Sequence, residues 1–560
     1  MIINANMNID TRVREHIFPT KIVWKNENNE LQKNCESVLN SGSNNASLAS
    51  PKGCILKAGG GFCLDYGKEI HGGIRIITGL NTLPVSKIRV RFGESVSETM
   101  HEPNNDHAIN DTVLDIPWHG SLEYGNTGFR FVRIDMIKNP KEQNKPEGTE
   151  TEQVIEIKEC RAVAVYRDLE YKGSFESSDD RLNQIWKTGA YTVHLNMQEY
   201  VWDGIKRDRL VWLGDMHPEV KVICSLFDDD GAVPSSLDLA RDETPIPQWI
   251  NGISSYSLWW IIIHRDWYLY KDNFEYLKEQ KEYLLNLLEL LQSCVDEKGV
   301  EKLTGWRFLD WPTNGNDEAI HAGLQALLIW SFEAGADLCS YLDEKNVEQE
   351  CKKTINELKK HNPEVSGNKQ ANALKALAGL TSAAETNKKV LAKNPFEGVS
   401  TFYGYYVLEA RAKAGDYKGA LDLIRNYWGG MIDMGATTFW EDFDISWMEN
   451  ASRIDELPKK GKKDIHKDFG EHCYKGLRHS LCHGWAAGPT AWLSEHVLGF
   501  KPLEPGCKKI IIEPHLENLE WVKGSLPTPY GVITVSHKKD KDGKIKTEVS
   551  APEEIEIILS

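Results

Sequence analysis

Two switches in hydrophobic period constrain this chain more than any other feature. Up to about residue 170, apolar and polar residues alternate, as in Lys87-Ile88-Arg89-Val90-Arg91-Phe92 and Phe129-Arg130-Phe131-Val132-Arg133-Ile134. Side chains along a strand repeat every two residues, so these segments read as strands, and Gly73–Ile77 and Val154–Ile157 join them. After Ser174-Phe175-Glu176 the period becomes helical. Helices are expected near 182–199, 212–227, 253–270, 273–297, 318–342, 346–361, 369–378, 383–393, 400–413, 416–430 and 484–498, with a short one at 234–241. Strands return at 509–512, 531–535, 545–549 and 555–558, and Asp542-Gly543 marks a hairpin turn.

A single core stops growing near roughly 250–300 residues, so 560 residues in this pattern imply several domains. The expected fold is an N-terminal β-sandwich over 1–172, an all-α region over 173–503 and a small C-terminal β-sandwich over 504–560. Six helical hairpins can close into a ring, the (α/α)6 toroid. A helical solenoid fits the helix count too, but no motif repeats at a fixed period. The polar, Pro-containing stretch 138–152 reads as a surface loop of the β region.

Charge and composition exclude some functions. With 66 basic and 83 acidic residues the net charge is −17, which repels phosphate backbones and argues against a nucleic-acid partner. The run Leu258–Ile263 meets His264, Arg265 and Asp266, so it is a buried helix rather than a membrane span. The first sixteen residues lack the apolar core of a signal peptide, and the 11 cysteines show no CxxC spacing. Free thiols and a cytoplasmic location are expected for the sequence as it stands, or a periplasmic one if a signal peptide was trimmed. The 18 tryptophans outnumber the 16 phenylalanines. Most will be core, but a flat apolar face with one N–H donor also suits a sugar ring.

The common nucleotide, serine-hydrolase and zinc-protease motifs are absent, and Gly59-Gly60-Gly61 has no helix after it, so it reads as a turn. The most informative segment is Trp202–Asp215, with Asp203, Asp208 and Asp215, Arg207 and Arg209, and Trp202 and Trp212. Glycoside hydrolysis needs two carboxyl groups flanking the bond, and this segment falls between the first two helices, where a ring exposes its loops. The competing reading is a solvated loop of Asp–Arg pairs. A second cluster, Thr437–Asp444, places Glu441 after Trp440, where a carboxyl could sit dry with a perturbed pKa. Asp310 and Trp311 form a third candidate, and the stripe Phe402–Tyr406 reads as core. His472, Cys473, His479, Cys482 and His483 invite a zinc reading, but their spacings match no common structural zinc pattern.

These residues resemble glycoside hydrolase family 78, the α-L-rhamnosidases, whose signature usually has the form D-C-P-x-R-[acidic]-R-x-G-W-x-G-D. Asp203, Arg207, Arg209, Trp212, Gly214 and Asp215 match it. Leu64–Lys68 and Arg91–Glu94 are similar to the family's N-terminal β module, and Gly173–Ser178 to its entry into the ring. Thr438–Glu441 and Ser480–His483 follow in order, and Pro505–Pro514 and Thr528–Gly531 are similar to its C-terminal module. The resemblance implies an (α/α)6 inverting hydrolase without cofactor or catalytic metal. In it Asp208 is the general acid, Glu441 the general base, Asp203 and Asp215 hold rhamnose hydroxyls, and Trp212 is a pocket wall. Two departures stand out: Gly204-Ile205 replaces Cys-Pro, and the acid is Asp instead of Glu.

The expected function is removal of terminal α-L-rhamnose from oligosaccharides or glycosides. Arg207, Asp310, Trp311, Trp440 and His483 join the substrate-binding set. A guanidinium paired with an aspartate favours its charged form, which opposes an acid role, so Arg207 and Arg209 are expected to face Asp203, Asp215 or sugar oxygens. The rivals are a polysaccharide lyase or phosphorylase on the same ring, and a non-catalytic sugar-binding protein.

Overall fold

The structure, a computed structural model, describes residues 10–39, 53–83, 85–102, 110–138, 152–228, 231–472 and 474–560. Residues 1–9, most of the loop expected at 138–152, and Cys473 lie outside them.

The N-terminal region is one antiparallel nine-stranded sheet. Its centre is formed by β5 (Gly61–Thr78), β8 (Ser121–Ile137) and β9 (Val154–Tyr166). The register of β5 against β8 shifts between Asp65 and Ile70 and again between Gly72 and Ile74. Such irregularities bend a strand, and the two halves of β5 take different partners beside β8. Residues 62–65 pair with β2 (Lys21–Lys25), and residues 72–78 with β9. The alternating pattern buries Phe62, Leu64, Ile74, Ile76, Val90, Phe129, Val132 and Ile134 in one cluster. A short helix, α1 (Val96–Met100), follows β6 (Val85–Gly93).

The central region is helical. Its principal helices are α2 (Asp180–Asn196), α3 (Met216–Leu226), α4 (Ala232–Asp242), α5 (Ser254–Lys271), α6 (Phe274–Ser293), α7 (Asp317–Tyr341), α8 (Lys345–Leu358), α9 (Lys369–Leu377), α10 (Ala383–Thr386), α11 (Gly404–Lys413), α12 (Tyr417–Leu423), α13 (Gly429–Asp433) and α14 (Gly488–Trp492). Short polar side chains start many of them. Asp179, Asn273, Asn316, Asn368, Ser382 and Asp416 each accept a bond from a backbone N–H of the first turn.

Burial alternates along the chain. α5 is buried on nearly every side, whereas α8 buries only Cys351, Thr354 and Leu358. An all-round apolar helix belongs inside and an amphipathic one outside. α3 packs on α5, α5 on α7, α7 on α9, α9 on α11, α11 on α14, and α14 back on α3. The fully buried Trp259, Trp260 and Trp267 lie on α5, and removing one such side chain costs about 3–5 kcal/mol.

The C-terminal region has two sheets. β15 (Trp521–Thr528), β16 (Gly531–Lys539) and β17 (Ile545–Ser550) continue from β10 (Ser174–Ser177). β14 (Lys509–Ile512) lies between β13 (Phe500–Pro502) and β18 (Glu556–Leu559). Two strands from the edges of the segment read as helical, β10 and β13, thus complete the C-terminal sheets. No helix among the described residues is long and apolar enough to cross a membrane.

Candidate active site

One cavity gathers most of the expected residues. Asp203, Arg207, Asp208, Trp212 and Asp215 come from the segment before α3. Trp306, Phe308 and Trp311 come from the segment before α7, and Glu441, Tyr474, His483 and Trp485 from the one before α14. All three segments precede inner helices, whose N-terminal ends carry partial positive charge. A carboxylate-rich loop cluster is favoured there.

The loop is shaped by its own hydrogen bonds. The Asp203 Oδ1 accepts the Leu210 N–H at 2.9 Å, and the backbone of Asp203 pairs with Leu210 O and Gly484 N. Gly204 forms an antiparallel bridge with His483. A Cβ at 204 would lie 2.9 Å from the Cys482 carbonyl oxygen, so the replacement of Cys-Pro by Gly204-Ile205 suits this close approach. Ile205 is buried with Leu195 and Cys482. Arg209 adopts a left-handed φ of 55°, and its side chain donates to the Asn126 carbonyl of the β region at 2.6 Å.

Arg207 contradicts the expectation. It does not turn to Asp203, Asp215 or open space but bridges the two central carboxylates. Its Nε donates to Asp208 Oδ1 at 3.1 Å and its Nη2 to Glu441 Oε1 at 2.6 Å, while its guanidinium lies 4.8 Å over the Tyr474 ring. Two acidic side chains from distant loops meet here, and a guanidinium between them offsets their repulsion. Arg209 does turn away, as expected, but to a backbone carbonyl rather than a carboxylate.

The two carboxyls differ in setting. The Asp208 side chain is 30% exposed and its Oδ2 accepts the Trp212 indole N–H at 3.2 Å. Glu441 is fully buried, and its Oε2 accepts the Ser480 N–H at 3.1 Å. Burial raises its pKa to about 7 against the opposing pull of Arg207 and the Ser480 N–H. Asp203 and Asp215 are buried as well, and burial raises both pKa values well above the carboxylate range. Asp215 accepts the Tyr256 hydroxyl at 2.9 Å. The His483 Nε2 faces Asp203 at 3.6 Å, Asp215 at 3.9 Å and Glu441 at 3.4 Å. Burial, reinforced by Arg207, keeps its imidazole neutral.

Two expected residues are not on the cavity wall. Asp310 is buried, its oxygens taken by the Thr313 N–H at 3.1 Å and the Ser400 hydroxyl at 2.8 Å, so it fastens a turn rather than a ligand. Trp440 is buried against Phe443. Trp311 is a wall, and its indole N–H donates to the Tyr474 hydroxyl. Among the described residues, the His/Cys segment does not gather around one point. His483 faces the carboxylates, whereas the His479 Nε2 accepts the Asp442 N–H at 2.8 Å. Sequence reasoning missed Tyr256, Trp306, Phe308, Tyr474, Arg478 and Trp485. Glu219 of α3, one turn beyond Asp215, is buried with no hydrogen-bond partner among the described residues but does not line the cavity. The aromatic spacing of Trp306, Phe308 and Trp311 was the available signal.

The sequence model of the bacterial alpha-L-rhamnosidase 6 hairpin glycosidase domain matches residues 170–497, and that of the bacterial alpha-L-rhamnosidase C-terminal domain matches 499–560. Among solved structures, the chain is similar to a glycoside hydrolase family 78 rhamnosidase of Bacillus sp. GL1, at 22% identity and TM-score 0.74, over 94% of this chain and 55% of that one. It is also similar to a rhamnosidase from Klebsiella oxytoca with rhamnose bound, at 20% identity and TM-score 0.68, over 87% of this chain and 96% of that one. An alpha-L-rhamnosidase of Alteromonas sp. (strain LOR) is 34% identical over 118 residues, which is 21% of this chain and 10% of that protein. The chain thus spans about half of the Bacillus protein and a tenth of the Alteromonas one. At these identities the solved structures speak for the fold. The family model covers more than half of the sequence, and the chain belongs to the bacterial alpha-L-rhamnosidase six-hairpin glycosidase family.

Proposed function

We propose that this protein is an inverting glycoside hydrolase that removes terminal α-L-rhamnose from oligosaccharides or glycosides. Asp208 protonates the leaving oxygen and Glu441 activates water on the opposite face of the sugar. The observation that carries this reading is the meeting of two carboxyls from segments 233 positions apart, joined through Arg207, in one aromatic-walled cavity. Asp203, Asp215 and His483 present oxygens and a nitrogen that suit sugar hydroxyls, and Trp306, Phe308 and Trp311 give the apolar wall a deoxy sugar's methyl group would meet. Among similar structures the Klebsiella protein and one from Streptomyces avermitilis hold rhamnose, which supports the substrate.

The architecture on which we place this chemistry is an (α/α)6 toroid, supported by the closed order of contacts among six inner helices. The bent nine-stranded sheet supports an N-terminal β-sandwich over 1–172, and the two C-terminal sheets support a sandwich over 504–560, with the helical region at 173–503 between them. Neither cofactor nor metal enters the proposed reaction.

The burial of Glu441, and the bond from Arg207 to Asp208 in the arrangement expected to oppose an acid role, favour a second assignment of the same pair. A carboxyl whose pKa lies near 7 can also serve as the acid, with the more exposed Asp208 as the base. Leaving-group dependence separates the two. A highly activated aryl α-L-rhamnoside needs little protonation, so it rescues the variant lacking the acid and not the one lacking the base. Rescue of Asp208→Asn is expected, and rescue of Glu441→Gln instead would exchange the roles.

A further inference from the structure

The N-terminal β region reaches the candidate base. Glu94 follows β6 and is completely buried. Its Oε2 accepts the Leu481 N–H at 2.7 Å and its Oε1 the Ser480 hydroxyl at 3.3 Å. The N–H of the same Ser480 donates to Glu441 Oε2, and the Glu441 N–H returns a bond to the Ser480 carbonyl at 3.0 Å. One residue therefore stands between the two carboxylates and is bonded to both.

Lys206 fastens the other side of that segment. It is buried next to Arg207 in sequence, and its Nζ donates to the carbonyls of Leu477 at 2.6 Å and His479 at 3.1 Å. The same ammonium lies 3.0 Å from Glu98 and 3.5 Å from Glu94. Glu94, Glu98 and His466 bring ligand atoms within 4.8 Å of one another, and Lys206 supplies a positive charge beside the two glutamates. The Glu94 N–H donates to Glu98 Oε2 at 2.9 Å, and His466 bonds Ser95 at 2.7 Å and the His479 carbonyl at 2.9 Å. Breaking such a cluster leaves buried charge uncompensated, so it holds its shape.

We propose that Glu94, with Lys206, is a positioning residue for Glu441. The pair fixes the 477–481 backbone so that the Ser480 N–H meets the Glu441 carboxylate, and the β region becomes part of the catalytic apparatus. The inference rests on the reading of Glu441 as the base. The groups facing Glu441 are Arg207, Asp208, Asp203, Asp215, Glu94, His483 and the Ser480 N–H, and those facing Glu94 are Lys206, Glu98, Glu69, Glu441, the Ser480 hydroxyl and the Leu481 N–H. Burial raises the Glu94 pKa to about 7; where it is ionised it adds negative charge near Glu441, and removing it lowers the pKa of the base.

The test is the pH dependence of kcat/KM on an aryl α-L-rhamnoside for the full chain and its Glu94→Gln and Glu94→Ala variants. Gln keeps the shape and one acceptor, so kcat stays within a few-fold, and the acidic limb moves down by about half a pH unit. Ala removes both acceptors, and kcat falls about 10–100-fold with KM little changed, the scale of a misplaced catalytic group. A purely structural Glu94 would lower Tm in Glu94→Ala without lowering kcat at temperatures where the variant is folded. Unchanged kcat in folded Glu94→Ala overturns the proposal, and if Glu94→Ala does not fold, unchanged amide exchange at Ser480 and Leu481 in Glu94→Gln overturns it. Failure of the rhamnosidase reading looks different, because the wild type then turns over no rhamnoside. Amide exchange at Ser480 and Leu481 becomes the readout in that case. About tenfold faster exchange in Glu94→Ala supports positioning, and unchanged exchange overturns it.

Discussion

The two ends of the inner helices hold similar numbers of charged side chains and treat them in opposite ways. At the N-terminal end Asp203, Asp208, Asp215 and Glu441 line one cavity with Arg207 and Arg478, and burial raises the pKa values of Asp203, Asp215 and Glu441. A second cavity, lined by residues of α3, α5, α7, α9 and α11, holds His217, Lys221, Arg265, Asp266, Glu409, Glu495 and His496. There the carboxylates are matched. Asp266 bonds Arg265 at 2.6 Å and His217 at 3.1 Å, Glu495 pairs with Lys221, and Glu409 with His496 at 3.0 Å. Burial pushes Asp266 upward, but Arg265, Lys221 and His217 outweigh it and hold its pKa below the usual range. Compensated charge fixes a structure. Carboxyls that outnumber their cations in a cavity, with pKa values raised by burial, mark a candidate site better than acidity does.

The largest effects should come from the uncompensated end. Glu441→Gln should lower kcat/KM by about 10²–10⁴-fold with Tm little changed, read by steady-state kinetics alongside thermal melts. Asp208→Asn should cost as much on natural glycosides and far less on a dinitrophenyl rhamnoside. Equal losses on both substrates would remove Asp208 from the acid role.

Breaking the compensated end should do the reverse. Asp266→Asn leaves Arg265, Lys221 and His217 facing one another, and should cost about 3–5 kcal/mol in denaturant unfolding. Its kcat/KM should stay within about threefold at temperatures where it is folded. A large loss of kcat with normal stability would mean that the two ends are coupled.

A smaller effect is the pH profile. Glu441 must be deprotonated to act as a base and its pKa is raised to about 7, so activity should rise with pH through about 7 and fall away below it. A limb near 7 on the basic side, lost in Glu441→Gln, would instead mark Glu441 as the acid. The smallest effect is that of a chelator, which should leave the rate unchanged. A loss restored by a divalent cation would contradict a purely carboxylate site.

The helical pattern was legible because period and capping residues are local, and the helices at 180–196, 254–271 and 317–341 follow the expected ranges closely. The helix expected from 212 begins at Met216, because residues 212–215 finish the loop that carries Asp215. Asp203, Asp208, Trp212, Asp215, Trp311, Glu441 and His483 line the cavity, and they were legible as candidates because they cluster in sequence or match a signature. Tyr256 and Arg478 were not, since nothing local distinguishes a tyrosine at a helix start or an arginine in a loop. Asp310 misled for the complementary reason. Asp-Trp-Pro reads like a site, but Thr313 nearby and Ser400 far along the chain take its oxygens. The orientation of Arg207 depends on Glu441, 234 positions away, and no local rule reports such a partner.

The central claim is that Asp208 and Glu441 act from opposite faces of the sugar with room for water between them, roughly 6.5–9.5 Å apart as in inverting pairs. Proton NMR of the first sugar released from an α-L-rhamnoside, read before mutarotation, tests it directly. The account predicts that β-rhamnose forms first. If the α-anomer forms first, Glu441 is a nucleophile or the catalytic pair lies elsewhere.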